Sequence, residues 1–120
     1  MPYDQNNVFA KILRGELPND TVFEDDEVLA FHDIYPQSKI HVLVIPKGNF
    51  VSFDDFTENA TTEQVGKFFE KVGHIARDLD VDQEGFRIIS NVGTFGGQEV
   101  PHFHVHICGG QKLGRMIEKK

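Results

Sequence analysis

The chain has 120 residues, a formal net charge of -7, eleven Phe and no Trp. This length fits one domain with one hydrophobic core, and the acidic balance, with no long run of Lys and Arg, argues against nucleic-acid or anionic-membrane binding. The single cysteine, Cys108, excludes an intrachain disulfide.

The ends of the chain and its hydropathy predict where the protein is located and which segments are flexible. Residues 1–6 are polar and lack the basic start and apolar run of a signal peptide. No stretch reaches the roughly 20 apolar residues of a membrane span. We therefore expect a cytoplasmic protein with no membrane partner, folded as one domain over residues 1–120, with flexible tails at 1–6 and 111–120.

The first half of the chain predicts one short helix and three strands. An asparagine, a good helix cap, precedes the helically spaced apolar residues of 8–14. The runs 21–24 and 28–33 are strand-like on either side of an acidic turn, and 40–45 is a third, nearly all apolar strand. The segment 50–56 mixes aromatic and acidic residues, and its pattern does not separate a loop from a helical turn.

The second half predicts one long helix followed by two strands. Apolar residues recur at intervals of three and four over 62–79, which is typical of a helix with one buried face. The run 86–92 is strand-like, a glycine-rich loop follows at 93–98, and another strand-like run begins at Pro101. Because the loop between these two strands is short, we expect them to pair antiparallel.

Histidine alternates with large apolar residues in the last predicted strand, 101–107. Since successive side chains of a strand point to opposite faces, His102, His104 and His106 share one face in steps of about 6.6 Å, and the apolar residues enter the core. An imidazole can exchange protons, attack an electrophile or bind a metal near neutral pH. This face of the strand is therefore the candidate for chemistry.

The three strand histidines allow two kinds of site. In the first, they share a zinc ion with a further ligand from elsewhere in the chain. In the second, one imidazole attacks phosphorus while its neighbours orient it, bind the phosphoryl oxygens and protonate the leaving group. A strand whose histidines have no role is a third possibility, which their number on one face disfavours.

The run from Pro101 to Gly110 resembles the histidine triad signature, His-φ-His-φ-His-φ-φ with φ apolar, of the HIT nucleotide-binding family. Further segments match the family's order and spacing, and the resemblance extends from residue 8 to residue 110. These segments are Phe31-His32-Asp33-Ile34, Pro36-Gln37, 41–47, Phe86-Arg87, 91–93 and 97–100. Gly109-Gly110 after the triad is similar to the Hint-like branch, whose members resemble nucleoside phosphoramidases.

The resemblance implies an α+β fold, with an antiparallel sheet of about five strands, one long helix and one short helix. It also implies a two-fold homodimer formed through the long helix and a sheet edge. Many relatives bind a structural zinc through Cys-x-x-Cys near the first helix, whereas this chain has Asn7 and Ala10 at those places. We therefore expect no metal and no cofactor.

The resemblance assigns catalytic roles to four histidines. It makes His104 the nucleophile that forms a nucleotidyl-histidine intermediate, which water then resolves. It makes His102 and His41 the pair that orients the nucleophile, and it places His106 against the phosphate and the leaving group. The residues alone would also allow His41 to be a hydrogen-bonded core histidine.

The resemblance implies a purine nucleotide as the ligand. Asp33 would accept hydrogen bonds from the ribose hydroxyls, although a turn-capping aspartate would occupy the same place. The positions that correspond to the purine slot are Phe9, Ile12, Phe31, Ile34 and Leu43. Those on the phosphate side are Asn91, Gly97, Gln98 and Glu99, where the glycine-rich loop could present main-chain N–H groups to phosphate oxygens.

The predicted function is hydrolysis of a nucleoside 5′-monophosphoramidate, or a related adenylate, through nucleotidyl-His104. Two other functions stay open. One is a non-catalytic nucleotide-binding module on the same fold, since fold does not fix function. The other is a metal-dependent site built on the three strand histidines.

Overall fold

A computed structural model describes residues 2–118. Five strands lie within this part of the chain: β1 (Thr21–Glu24), β2 (Val28–His32), β3 (Ile40–Pro46), β4 (Arg87–Ile89) and β5 (Val105–Gly109). The helices there are α1 (Val8–Leu13), α2 (Phe53–Asn59) and α3 (Thr62–Asp78). All strand pairs are antiparallel, and the sheet order is β1-β2-β3-β5-β4. The predicted α+β fold with a five-stranded antiparallel sheet is confirmed.

The predicted tails reach past the described part of the chain. Met1, Lys119 and Lys120 lie outside the described residues. Within residues 2–118, no helix has the length and the apolar character that crossing a membrane requires.

Side-chain caps start the helices. The Asn7 side chain accepts the Ala10 N–H at 2.9 Å and begins α1, and Thr61 forms a capping box with Gln64 at the start of α3. The segment 50–56 contributes an additional short helix, α2, because Ser52 accepts the Asp55 N–H and the acidic first turn favours a helix start. Residues 2–118 therefore contain two short helices beside the long one, instead of the single short helix that was predicted.

Most of the apolar core lies between the sheet and α3. Alternate residues of β2 and β3 point to this side and pack against Phe68, Val72 and Ile75 of the helix. Three phenylalanine rings mark its centre, with Phe56 and Phe103 stacked at 4.8 Å between centroids and Phe68 at 5.0 Å from Phe103. Burial of these rings, together with the aliphatic side chains around them, stabilises the domain.

The opposite face of the sheet is covered only in part, by α1. Phe9 packs there on Phe31, Leu43 and Ile45 in a smaller apolar cluster. His41 belongs to the same face, since it alternates along β3 with core residues of the other side. Because α1 is only six residues long, part of this face stays open beside it.

The histidine strand begins later than the alternation predicts. Residues 101–104 are outside the ladder, because the His102 N–H donates to the Val100 carbonyl in a tight turn and the Phe103 N–H donates to Phe50. Phe103, Val105 and Ile107 are nonetheless buried in the core, as the alternation predicts. The predicted strand at 86–92 is likewise shorter, since only β4 pairs with β5.

Candidate active site

A cleft of about 440 Å³ opens on the sheet face beside α1. The residues predicted for a site that line it are Phe9, Ile12, Phe31, Asp33, Ile34, Leu43, Asn91, Gly97, Glu99, His104 and His106. Val8, Leu17 and Pro18 make the cleft apolar on the side of α1 and the start of β1. Asn91, Gly97 and Glu99 make it polar on the other side, because they belong to the segment between β4 and β5 and β4 is the opposite edge of the sheet. A ligand with an apolar ring and a polar extension fits this arrangement.

His104 is held in one tautomer by the main chain. Its Nδ1 lies 2.7 Å from the His102 carbonyl oxygen, which only accepts, so Nδ1 carries the proton and donates it. The remaining nitrogen, Nε2, keeps its lone pair in a ring that lines the cleft. Phe9 and His106 each meet this ring edge to face at 5.0 Å, which restricts its rotation.

A second chain of hydrogen bonds fixes His106. The main-chain N–H of Gln37 donates to His41 Nδ1 at 3.0 Å, so His41 carries its proton on Nε2. His41 Nε2 then donates to His106 Nδ1 at 2.9 Å. In its neutral form His106 therefore has its proton on Nε2, as a donor for an anion in the cleft.

The predicted pair of His102 and His41 does not form. The His41 ring bonds to His106 instead, and the His102 ring points away from the cleft, donating from Nε2 to the Pro46 carbonyl at 2.8 Å. The Tyr3 hydroxyl hydrogen-bonds to the other His102 nitrogen, Nδ1. His102 acts on His104 through its main-chain carbonyl, because the turn that leads into β5 aims that carbonyl at the next histidine ring.

Burial keeps the triad imidazoles neutral. Desolvation lowers the pKa of His102 from 6.5 to about 4, and that of His106 to about 4 with a further contribution from the neighbouring His104 and His41. Desolvation also lowers the pKa of His104. A neutral imidazole is the nucleophilic form, so the ring at position 104 is ready to attack at neutral pH.

Asp33, His41 and His106 are the three side chains of residues 2–118 whose potential ligand atoms come within 4.8 Å of one another. The His41 tautomer does not suit a metal, however. Coordination through Nε2 would require a proton on Nδ1, where the Gln37 N–H already points. His102 does not suit one either, since both of its ring nitrogens have protein partners.

The predicted purine slot is present in part. Phe9, Phe31 and Leu43 are buried at the floor of the cleft, with the Phe9 and Phe31 rings 5.6 Å apart. Ile34 lies at the rim and is 80% exposed, so it does not close the slot as predicted. Asp33 is next to it, within 3.4 Å of His41 Nε2, and its other oxygen caps the following turn by accepting the Tyr35 N–H.

The glycine-rich loop differs from the predicted phosphate cradle. Gln98 lies outside the cleft lining, because its side chain donates to the Val51 and Val100 carbonyls and accepts the Gly93 N–H. The Gly97 and Gln98 amides donate within the loop, so they are not free for phosphate. Gly96 is required sterically, since a Cβ there would lie 2.3 Å from the Val92 carbonyl oxygen.

Tyr3 and Gln37 also belong to the site, although no sequence pattern predicts either of them. Tyr3 falls in a predicted tail, and no local pattern links it to a histidine 99 residues away. Gln37 acts through its main-chain N–H, which carries no side-chain signature. For Gln37, the sequence offered one indication, the Pro36-Gln37 match to the family.

A HIT domain profile matches residues 14–113 of the chain. An uncharacterised 13.2 kDa HIT-like protein of Azospirillum brasilense is 51% identical over 117 residues, covering 98% of this chain and 96% of the relative. A purine nucleoside phosphoramidase of Escherichia coli is 39% identical over 117 residues, covering 97% of each chain.

Solved structures agree with these relatives. A histidine triad protein from Clostridium difficile superposes with a TM-score of 0.86 at 40% identity, covering 97% of this chain and all of that one. A HIT family hydrolase from Clostridium thermocellum also gives a TM-score of 0.86, at 34% identity, covering 96% of this chain and 99% of that one. The similarity to these proteins, in sequence and in fold, thus extends over nearly the whole length of the chain.

Proposed function

The chain belongs to the HIT family, and from this premise we propose that it hydrolyses a nucleoside 5′-monophosphoramidate, or a related adenylate, through a covalent intermediate on His104. The observation that carries the proposal is the His104 ring, whose Nδ1–H is held by the His102 carbonyl while Nε2 keeps its lone pair in the cleft. The name of the Escherichia coli relative favours a purine base and a phosphoramidate.

Two displacements at phosphorus make up the proposed reaction. First, the His104 Nε2 lone pair forms a bond to phosphorus as the bond to the leaving nitrogen breaks, and that nitrogen takes a proton from solvent at the cleft mouth. Then a water oxygen bonds to phosphorus, the bond to Nε2 breaks with its electron pair returning to the ring, and the water proton passes to solvent. The His106 Nε2–H stabilises the phosphoryl oxygens in both steps.

The metal-dependent alternative has less support. Its ligands would have to include His102, which is tied to Pro46 and Tyr3, or His41, whose tautomer opposes coordination. The non-catalytic alternative leaves the free Nε2 of His104 without a purpose. We therefore favour the enzyme without a metal, and expect its activity to survive complete chelation.

A turnover panel with a His104→Gly variant tests this proposal. The wild type should cleave adenosine phosphoramidates, with aminoacyl adenylates and diadenosine polyphosphates as comparison substrates. The variant should bind AMP within a few-fold of the wild type and lose turnover by at least about a thousandfold, because it lacks the nucleophile. Ordinary turnover by the metal-free variant would reject the proposal.

We also propose a homodimer formed through the long helix α3 and a sheet edge, and β4 is the edge that suits it. β4 is the last strand in the order, and its Ile88 and Ile89 are 50% and 36% exposed. An unpaired strand that carries large apolar side chains is a natural pairing surface.

A further inference from the structure

The charges around the cleft have one sign. Two carboxylates, Asp33 and Glu99, line it, and no Lys or Arg of residues 2–118 does. A phosphate site normally gathers cations, because a bound phosphate oxyanion gains from a nearby positive charge. Here the anion must instead rely on neutral hydrogen-bond donors such as His106.

The two carboxylates differ in their surroundings. Asp33 has His41 at 3.4 Å and the Tyr35 N–H as partners. Glu99 is exposed and makes no ion pair and no side-chain hydrogen bond with any residue of 2–118. Its charge is therefore available to a ligand, and it offsets a small part of the desolvation that lowers the pKa of His104.

The layout of the cleft places Glu99 on the side of the leaving group. The apolar end by α1 suits the base, His104 must lie at the phosphorus, and the group beyond phosphorus then extends toward the polar end. That end is formed by Asn91, Gly97 and Glu99. A leaving group that emerges there meets a carboxylate without a cationic partner.

We infer that Glu99 selects phosphoramidates whose leaving amine carries a second, cationic group. The inference rests on the proposed function and names its preferred substrate class. The carboxylate attracts an ammonium group several atoms beyond the scissile nitrogen and repels leaving groups that carry carboxylates or further phosphates. Because the site is partly open to solvent, the attraction has the size of a surface ion pair and corresponds to about a fivefold preference.

Two matched substrates test the inference: the adenosine 5′-phosphoramidates of 1,4-diaminobutane and of pentylamine. They have the same chain length and differ in one ammonium group. For each enzyme, kcat/KM for the diaminobutane substrate is divided by kcat/KM for the pentylamine substrate. This ratio should be about fivefold higher in wild type than in Glu99→Gln, and Glu99→Lys should prefer the pentylamine substrate. Any difference in the chemical reactivity of the two substrates is the same for every enzyme, so it cancels when the ratios are compared.

Glu84→Gln is the matched control, because Glu84 is exposed in the turn before β4 and lies outside the cleft. Its ratio should equal that of wild type.

A binding arm separates this inference from the proposed function. The corresponding 5′-phosphate diesters, with oxygen in place of the scissile nitrogen, should bind wild type with the same preference for the cationic chain, and about 1 M salt should remove that preference. If the diesters show this binding preference but neither phosphoramidate is cleaved, the result contradicts the proposed function and leaves the inference about Glu99 in place. Equal diester affinities in wild type, or an equal kcat/KM ratio in wild type and Glu99→Gln, would overturn the inference.

Discussion

The state of each imidazole is set by a partner that a sequence pattern does not reveal. Main-chain groups of His102, Gln37 and Pro46 fix the tautomers of His104, His41 and His102 in turn. The spacing of the histidines predicted which rings would be near one another, and His104 and His106 are 5.0 Å apart. It could not predict the tautomers, because these depend on turns that join distant parts of the chain.

Tyr3→Phe tests whether the Tyr3 hydroxyl positions His102 and, through the His102 carbonyl, the His104 ring. Removing the hydroxyl leaves His102 Nδ1 buried without a donor, which should cost about 1–3 kcal/mol of unfolding free energy. Because the His102 carbonyl holds His104, kcat should fall by roughly tenfold with little change in KM, since Tyr3 does not line the cleft. Urea unfolding and steady-state kinetics measure both effects.

Tyr35→Phe is the control, because Tyr35 is 80% exposed. It should behave as wild type in both measurements. A Tyr3→Phe protein with unchanged kcat and unchanged stability would show that the hydroxyl does not position the triad.

Among the elements, those with a strong period follow the sequence most closely. The helix predicted at 62–79 is α3, and the strand predicted at 40–45 is β3 with one further residue. The histidine run departs from its prediction because alternation fixes which face a residue takes, while the ladder needs a partner strand. Residues 101–104 have the Phe50 segment beside them instead of β4. The helix α2 was ambiguous in the sequence because its capping serine lies among aromatic residues.

The exposed edge of β4 predicts that two copies of the chain pair as a homodimer. Wild type should sediment at twice its chain mass of 13.6 kDa. Ile88→Arg should shift the protein to monomer, because it places a charge on the apolar edge. Sedimentation velocity over a dilution series distinguishes the two. A wild-type monomer at all concentrations would contradict the edge-paired dimer.

For the whole molecule, the buried histidines make stability depend on pH. The pKa of His102 is about 4 in the native state, whereas an imidazole in the unfolded chain has its ordinary pKa of 6.5, so the unfolded chain binds the proton first as pH falls. Stability is therefore full above about pH 6.5 and decreases toward pH 4. His102 alone would account for a loss of roughly 3 kcal/mol.

Urea unfolding at about pH 7 and about pH 4.5 measures most of this loss. His102→Asn keeps a side-chain donor for Pro46 without a titrating group, so its pH dependence should be weaker than that of wild type. NMR titration of the native histidines gives the same information if the variant does not fold. A flat stability profile in wild type over this range would contradict the buried, neutral triad.

Direct detection of the intermediate tests the central claim, a transient bond between His104 Nε2 and phosphorus. Wild-type protein is mixed with an adenosine phosphoramidate, quenched with denaturant at high pH within the first turnover to preserve the phosphorus–nitrogen bond, and analysed by intact mass and peptide mapping. We predict one adenylyl group on His104, which disappears as substrate is consumed and is absent from His104→Gly. Turnover without any adduct in wild type, or an adduct that maps to another residue, would contradict the claim.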